Sequence, residues 1–320
     1  MAAGTTEPVL DLADLRVEAG GVAILEGVSL ALAPGEMVGL VGESGCGKSV
    51  TALAAMRLLA EPAMRVASGA VRLAGQDLMA LDENALRRIR GRQMAMIFQE
   101  PMTSLNPVFT VGDQIAEAVR LHTDARHSDA RDRAATLLDR VGIPAPRTAL
   151  DRYPHQMSGG QRQRVMIAMA LACDPAVLIA DEPTTALDVT VQAQILDLLD
   201  DLRRERGMAV LLITHDLGVV SQYCDRVAVM YGGRIVEQAA AADLFAHPRH
   251  RYTAALLRTI PAANPPGATL PAIPGSVPPP GRRPPGCAFH PRCDAALARC
   301  RAEMPPLAGT PHAVRCWNPA

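Results

Sequence analysis

Hydrophobic and polar positions alternate in two rhythms along this chain, and the switch between them marks its organisation. Between residues 9 and 33 short apolar runs (15–17, 22–25, 28–32) are separated by glycine and polar positions, which predicts antiparallel strands. Pro34-Gly35 reads as a turn, the unbroken apolar run 37–41 as a buried strand, and 49–59, free of Pro and Gly, as a helix. A strand at 70–73 with a turn at Gly75-Gln76-Asp77, a basic helix at 82–90 and a strand at 94–98 follow, and Gln99 stands directly after that strand.

The rhythm then becomes helical. Residues 110–121 and 129–141 read as amphipathic helices, the second with Leu137, Leu138 and Val141 on one face and closed by Pro144 and Pro146. No strand pattern occurs from about 100 to 175, which predicts a helical insertion inside a strand-bearing domain. The α/β alternation resumes with a strand at 177–180 and a helix at 191–206, striped by Val191, Ile195, Leu198, Leu199 and Leu202 and ended by Gly207. A strand at 209–214, a hairpin turning at Gly232-Gly233, and short helices at Asp243 and 252–257 complete it. The expected boundaries are a disordered lead-in at 1–8, one domain at 9–260, a proline-rich linker at 261–286 and a cysteine-rich tail at 287–320. Ten of the twenty-five residues 261–285 are proline, which predicts a semi-rigid spacer and no packed element.

Composition narrows the class. The 320 residues carry a net charge of −1, so no basic excess points to nucleic acid as the main partner. No apolar run approaches the ~20 residues of a membrane span; the longest, 165–180, is broken by Asp174 and Pro175. No secretory signal pattern opens the chain, so a cytosolic location is expected. Of seven cysteines, Cys46, Cys173 and Cys224 are scattered, whereas Cys287, Cys293, Cys300 and Cys316 cluster at the end. In a cytosolic chain such a cluster favours metal over disulfides.

The chemistry centres on Gly42-Glu43-Ser44-Gly45-Cys46-Gly47-Lys48-Ser49, which matches the phosphate-binding pattern G-x-x-x-x-G-K-[ST] between a predicted strand and a predicted helix. Glycines let the backbone aim several N–H groups at one anion, and the following helix adds its positive end. Lys48 supplies a charge for β- and γ-phosphates, and the Ser49 hydroxyl is a Mg²⁺ ligand candidate; the expected ATP-binding stretch runs from Gly42 to Val50. The apolar run 177–180 ends in Asp181-Glu182, where Asp181 suits Mg²⁺ and Glu182 suits orienting or deprotonating an attacking water. Ser158-Gly159-Gly160-Gln161 opens a helix with a good N-cap and open N–H groups, a second anion site. Gln99 is placed to reach Mg²⁺ or water, and His215, after the strand 209–214, to hydrogen-bond a γ-phosphate.

Together, and in this order, these residues resemble the ATP-binding subunits of ABC transporters: phosphate loop, Gln99 of the Q-loop, signature Ser158–Gln161, Walker B Asp181-Glu182, D-loop Ala186-Leu187-Asp188 and switch His215. The fold implied is α/β, a P-loop NTPase domain with a RecA-like core, an antiparallel β subdomain and a helical subdomain, plus a cysteine-rich metal-binding tail. The implied assembly is a head-to-tail dimer with a second ATPase subunit, the signature of one binding ATP held by the phosphate loop of the other. The segment 98–107 (Phe-Gln-Glu-Pro-Met-Thr-Ser-Leu-Asn-Pro), Tyr153–Met157, and the His247-Pro248 stretch with the proline linker and cysteine tail resemble the oligopeptide/dipeptide importer branch. Two permeases and a solute-binding protein are the other implied partners, at the cytoplasmic face of the plasma membrane. Nickel importers are close relatives, so peptide or nickel stand as cargo; a DNA-repair or translation ATPase is the alternative outside transport.

The family stacks adenine on an aromatic near residues 15–19. Here Glu18 and Ala19 stand there, no Phe, Tyr, Trp or His precedes Phe98, and Val22 or Ala23 is the expected base contact. The tail spacing C-x5-C-x6-C-x15-C supplies four thiolates, the number for a [4Fe–4S] cluster or a structural zinc, without the short C-x2-C pairs of zinc ribbons. The branch resemblance implies the cluster.

Overall fold

The computed structural model describes residues 7–99, 104–185, 187–260, 265 and 271–320. Most of the expected lead-in, Glu100 to Thr103 of the importer-like segment, Ala186 of the D-loop and much of the proline stretch lie outside them. In chain order the strands are β1 (Leu10–Ala19), β2 (Val22–Leu32), β3 (Met37–Val41), β4 (Met64–Leu73), β5 (Gln76–Asp77), β6 (Met94–Ile97), β7 (Val177–Asp181), β8 (Ala209–Ile213), β9 (Arg226–Tyr231), β10 (Arg234–Ala240) and β11 (Ala313–Val314). The chain forms two compact units, one of residues 1–9, 33–36 and 80–211, the other of 10–32, 37–79 and 212–320.

The second unit carries an antiparallel sheet in the order β2-β1-β4-β5. The apolar runs 22–25 and 28–32 are one strand, because the β1–β2 register shifts between Leu12 and Leu15 and again between Leu15 and Val17, absorbing the polar residues between them. The same unit holds β11-β10-β9-β3, in which β3 and β9 are parallel and the hairpin β9–β10 turns at Gly232-Gly233. All five residues of β3 are buried, as a strand covered on both faces requires. The helix Lys48–Ala55 follows the phosphate loop and ends earlier than its composition suggests. Arg57 there takes φ +54° and its guanidinium donates to the carbonyls of Leu78 and Met79, a tertiary contact that overrides helix propensity.

Residues 287–320 belong to this unit. Ala313–Val314 pairs with β10, and His312 Nε2 lies 2.6 Å from the fully buried Glu237 carboxylate, which also accepts the backbone N–H groups of Arg249 and His250. The described part of the proline-rich stretch is packed too: Arg283 pairs with Glu26 and donates to the Ile24 carbonyl of β2.

In the first unit β6 and β7 are parallel, with β8 entering beside β7. Between Ser104 and Ala176 the described residues contain helices and no strand. The helices Val111–His122 and His127–Arg140 pack through Ile115, Val119, Ala130, Ala134, Leu137 and Leu138. Thr110 caps the first, its hydroxyl accepting from Asp113 N–H. Gly112 lets that helix approach Leu150: a Cβ there would lie 2.7 Å from the Leu150 carbonyl oxygen.

Candidate nucleotide site

In the second unit the loop 42–47 joins β3 to the helix Lys48–Ala55. Two of its glycines are required by geometry. Gly42 sits at φ +151°, and a Cβ on it would come within 2.2 Å of the Met230 carbonyl oxygen; Gly47, at φ +112°, would meet the Leu25 side chain at 2.7 Å. Gly47 is the N-cap and offers no side chain, so the first N–H groups of the helix have no side-chain cap. Lys48 is 7 % exposed and its ammonium donates to the carbonyl of Gly42 at 2.7 Å and of Glu43 at 3.3 Å. A cation is thereby fixed beside a loop of backbone N–H groups, the arrangement that binds polyphosphate. Burial raises the Cys46 thiol, with Lys48 pulling the other way, so Cys46 stays protonated and fills space.

The loop is held from outside the motif. Gly233 of the hairpin turn donates to the Cys46 carbonyl at 2.8 Å and accepts from Glu26 N–H at 2.9 Å. Glu43 N–H donates to the Tyr252 hydroxyl at 2.9 Å, and the Glu43 carboxylate receives both terminal nitrogens of Arg292, at 2.7 and 2.9 Å. His215 of this unit stands exposed after β8, followed by Asp216, which caps the helix Leu217–Tyr223. Val22, the expected base contact, is partly exposed, with Gly281 of the proline-rich stretch packed against it.

In the first unit β7 is buried throughout and delivers Asp181, 3 % exposed, at its end. Glu182 follows at φ +48°, a left-handed conformation that costs a non-glycine residue roughly 1–2 kcal/mol. Its carboxylate accepts from Gln99 Nε2 at 3.1 Å and from Thr185 Oγ1 at 2.8 Å. Two residues singled out separately in the sequence thus meet, and Thr185 joins them.

Ser158 caps the helix Gly159–Ala170. The cap is reciprocal: Ser158 Oγ accepts from Gln161 N–H at 3.2 Å, and Gln161 Oε1 accepts from Ser158 N–H at 3.1 Å. Gln161 is therefore committed to shaping the turn, while Ser158 and Gly159 are exposed. Asp188 caps the helix Val189–Arg206 by accepting from Val191 N–H at 2.9 Å.

The four tail cysteines, Cys287, Cys293, Cys300 and Cys316, line one small cavity with Phe289 and Trp317. Burial, with the neighbouring thiols adding, pushes Cys287 up to about 11. Among the described residues no three His, Cys, Asp or Glu side chains are drawn together closely enough to hold a metal ion, so the expected metal-binding tail goes no further than this shared cavity.

Residues 25–185 match the family model of the ABC transporter, and residues 236–300 match that of the oligopeptide/dipeptide transporter C-terminal region. A putative peptide import ATP-binding protein of Brucella melitensis is 50 % identical over 97 % of both chains. A probable peptide ABC transporter ATP-binding protein of Sinorhizobium fredii is 52 % identical over 97 % of this chain and 95 % of its own. Among solved structures, an ATP-binding cassette dimer in a post-hydrolysis state with ADP and phosphate is 28 % identical, with a TM-score of 0.65 over 72 % of this chain and 98 % of that one. A subunit of a Clostridium perfringens ABC transporter complex gives the same identity and TM-score over 75 % and 91 %. The chain belongs to the ABC transporter family, in its branch of peptide import ATP-binding proteins.

Proposed function

We propose that this chain is the ATP-hydrolysing subunit that drives import of di- and oligopeptides, bound at the cytoplasmic face of the plasma membrane. The observation that carries the reading is the phosphate loop with Lys48 fixed over the carbonyls of Gly42 and Glu43. The peptide-import names of relatives that align over nearly the whole chain support peptide over nickel as cargo. Importer ATPases of this family work with transmembrane permeases, and among the described residues no helix is long and apolar enough to cross a membrane. The partners in this reading are a second, paralogous ATPase, two permeases and a solute-binding protein.

In this reading residues 42–50 hold the triphosphate, with Lys48 on the β- and γ-phosphates. Ser49, Gln99 and Asp181 are the residues that would hold Mg²⁺, directly or through water, and the ion would supply charge neutralisation on the phosphates. Glu182 takes the proton of the water that attacks the γ-phosphorus as the bond to ADP breaks, and His215 hydrogen-bonds the γ-phosphate. The Glu182 contacts with Gln99 and Thr185 support this role, because a base must be held in one orientation to work. Ser158, Gly159 and Gly160, with Gln161 as their brace, bind the γ-phosphate of ATP held by the partner subunit, and Asp188 fixes the loop beside them. Purification with the permeases and a peptide-stimulated ATPase activity test the reading; isolation without permeases and indifference to peptide would contradict it.

A second reading concerns the tail. Four thiols around one cavity fit a [4Fe–4S] cluster bound by Cys287, Cys293, Cys300 and Cys316. The long spacings C-x5-C-x6-C-x15-C, without the short C-x2-C pairs of zinc ribbons, favour the cluster over a single zinc ion. The cluster staples a segment that has little apolar core of its own. Iron and sulfide in anaerobically purified protein are the expected result; stoichiometric zinc without iron overturns it.

A further inference from the structure

We infer that Arg292 is a positioning residue for the phosphate loop, so that the C-terminal tail sets how tightly this subunit binds nucleotide. The inference rests on the reading of residues 42–50 as the nucleotide site. Glu43 occupies a position that the phosphate-loop pattern leaves free. In this chain it is held at both its side chain and its backbone. Its carboxylate takes a bidentate pair from Arg292, and its backbone N–H is bound by Tyr252.

Arg292 itself is saturated with partners. Beyond Glu43, its Nε donates to the Pro274 carbonyl at 2.7 Å, and its terminal nitrogens reach the Tyr231 hydroxyl at 3.3 Å and the carbonyls of Ile273 and Gly275 at 3.3 and 3.5 Å. Its side chain is 6 % exposed. A planar fork with every N–H engaged has one orientation, which a lysine does not reproduce. Beneath it Tyr231, Tyr252 and Phe289 pack with ring centroids 4.6 to 5.4 Å apart. The whole chain has nine aromatic residues (four Tyr, four Phe, one Trp), so a third of them support this one clamp.

The clamp acts on the half of the loop whose carbonyls hold Lys48. Fixing Gly42 and Glu43 keeps the ammonium in place and the following N–H groups aimed outward before nucleotide arrives. Without it the loop has to be ordered on binding, and that free energy is taken from affinity. Because Arg292 contacts the loop and not the reacting atoms, its loss acts on binding in ground and transition state alike, which raises KM and spares kcat.

The test uses the assembled transporter. Arg292→Ala is expected to raise KM for ATP and Kd for MgATP about tenfold, with kcat changed less than twofold. Glu43→Gln, which leaves the tail intact, is expected to reproduce the KM rise, and the double variant to be no worse than either single one. Arg292→Lys, which keeps the charge and loses the fork, falls between. An unchanged KM in folded Glu43→Gln protein, or additive effects in the double variant, would overturn the inference. Lys48→Ala separates it from the reading beneath: normal nucleotide affinity in Lys48→Ala contradicts the nucleotide site itself. Lost affinity there with normal affinity in Arg292→Ala contradicts only the role of Arg292.

Discussion

The side-chain amide of Gln99 donates to the carboxylate of Glu182 at 3.1 Å, joining the ends of two parallel strands, β6 and β7. Thr185 donates to the same carboxylate oxygen. Both of these donors are neutral groups, and the Glu182 backbone is in a strained left-handed conformation. Glu182→Gln keeps the size and a hydrogen-bonding amide but removes the base. The expected outcome is a fall in kcat of about 10²–10⁴-fold with nucleotide binding retained, measured by phosphate release and equilibrium binding. Hydrolysis within a few-fold of the parent would remove Glu182 from the reaction.

Gly233 supports the phosphate loop from the hairpin turn. It lies at φ +78°, where a Cβ would come within 2.1 Å of the Ile24 carbonyl oxygen, and its N–H holds the Cys46 carbonyl. Gly233→Ala is expected to lower stability by about 2 kcal/mol or more and to weaken ATP binding, read by denaturant unfolding and nucleotide titration.

His250 carries a pH prediction. Full burial, with the charge of Arg315 adding to it, pushes its imidazole down to about 3, while Nδ1 accepts from Tyr252 N–H at the start of a helix. The unfolded residue titrates near 6.5. Between those values the unfolded chain binds a proton that the folded chain excludes, so stability falls as pH is lowered from about 6.5, by up to about 1.4 kcal/mol per pH unit. His250→Asn keeps a capping acceptor and removes the titration. It is expected to flatten the pH dependence of unfolding between about pH 5 and 6.5; an unchanged slope would contradict the assignment.

The absence of an aromatic before Phe98 predicts weak base selection, with Val22 offering an aliphatic contact only. ATP and GTP are expected to bind within about threefold of each other, whereas loss of an aromatic stack is worth roughly 1–3 kcal/mol per base. A strong preference for ATP in competition binding would show that another group recognises adenine.

Much of this was legible because the informative residues are neighbours in sequence. Asp82, Thr110 and Ser158 sit where polar caps precede apolar periodicity, and Gly207 where a left-handed residue ends a helix, so these helices read directly. The phosphate loop and Asp181-Glu182 read for the same reason: each lies within one turn of a strand end. The helix Leu217–Tyr223 was hidden because its apolar, β-branched Val219-Val220 pair fits a strand as well as a helix. The early start of β4 was hidden by Ser68-Gly69. There Gly69 takes φ +97°, and a Cβ would lie 2.6 Å from the Asp14 carbonyl oxygen, a close approach that periodicity does not record. The clamp on Glu43 was out of reach for a plainer reason. Arg292 lies 249 residues further along, past a proline-rich stretch that composition alone assigns to a spacer.

Peptide uptake by the purified transporter in sealed liposomes, with ATP supplied on the side that this subunit faces, tests the central claim most directly. The account predicts accumulation of labelled peptide that requires both ATP and the solute-binding protein and disappears with Glu182→Gln in this chain. Accumulation that persists with Glu182→Gln, or an active parent complex that hydrolyses ATP and moves no peptide, would contradict it.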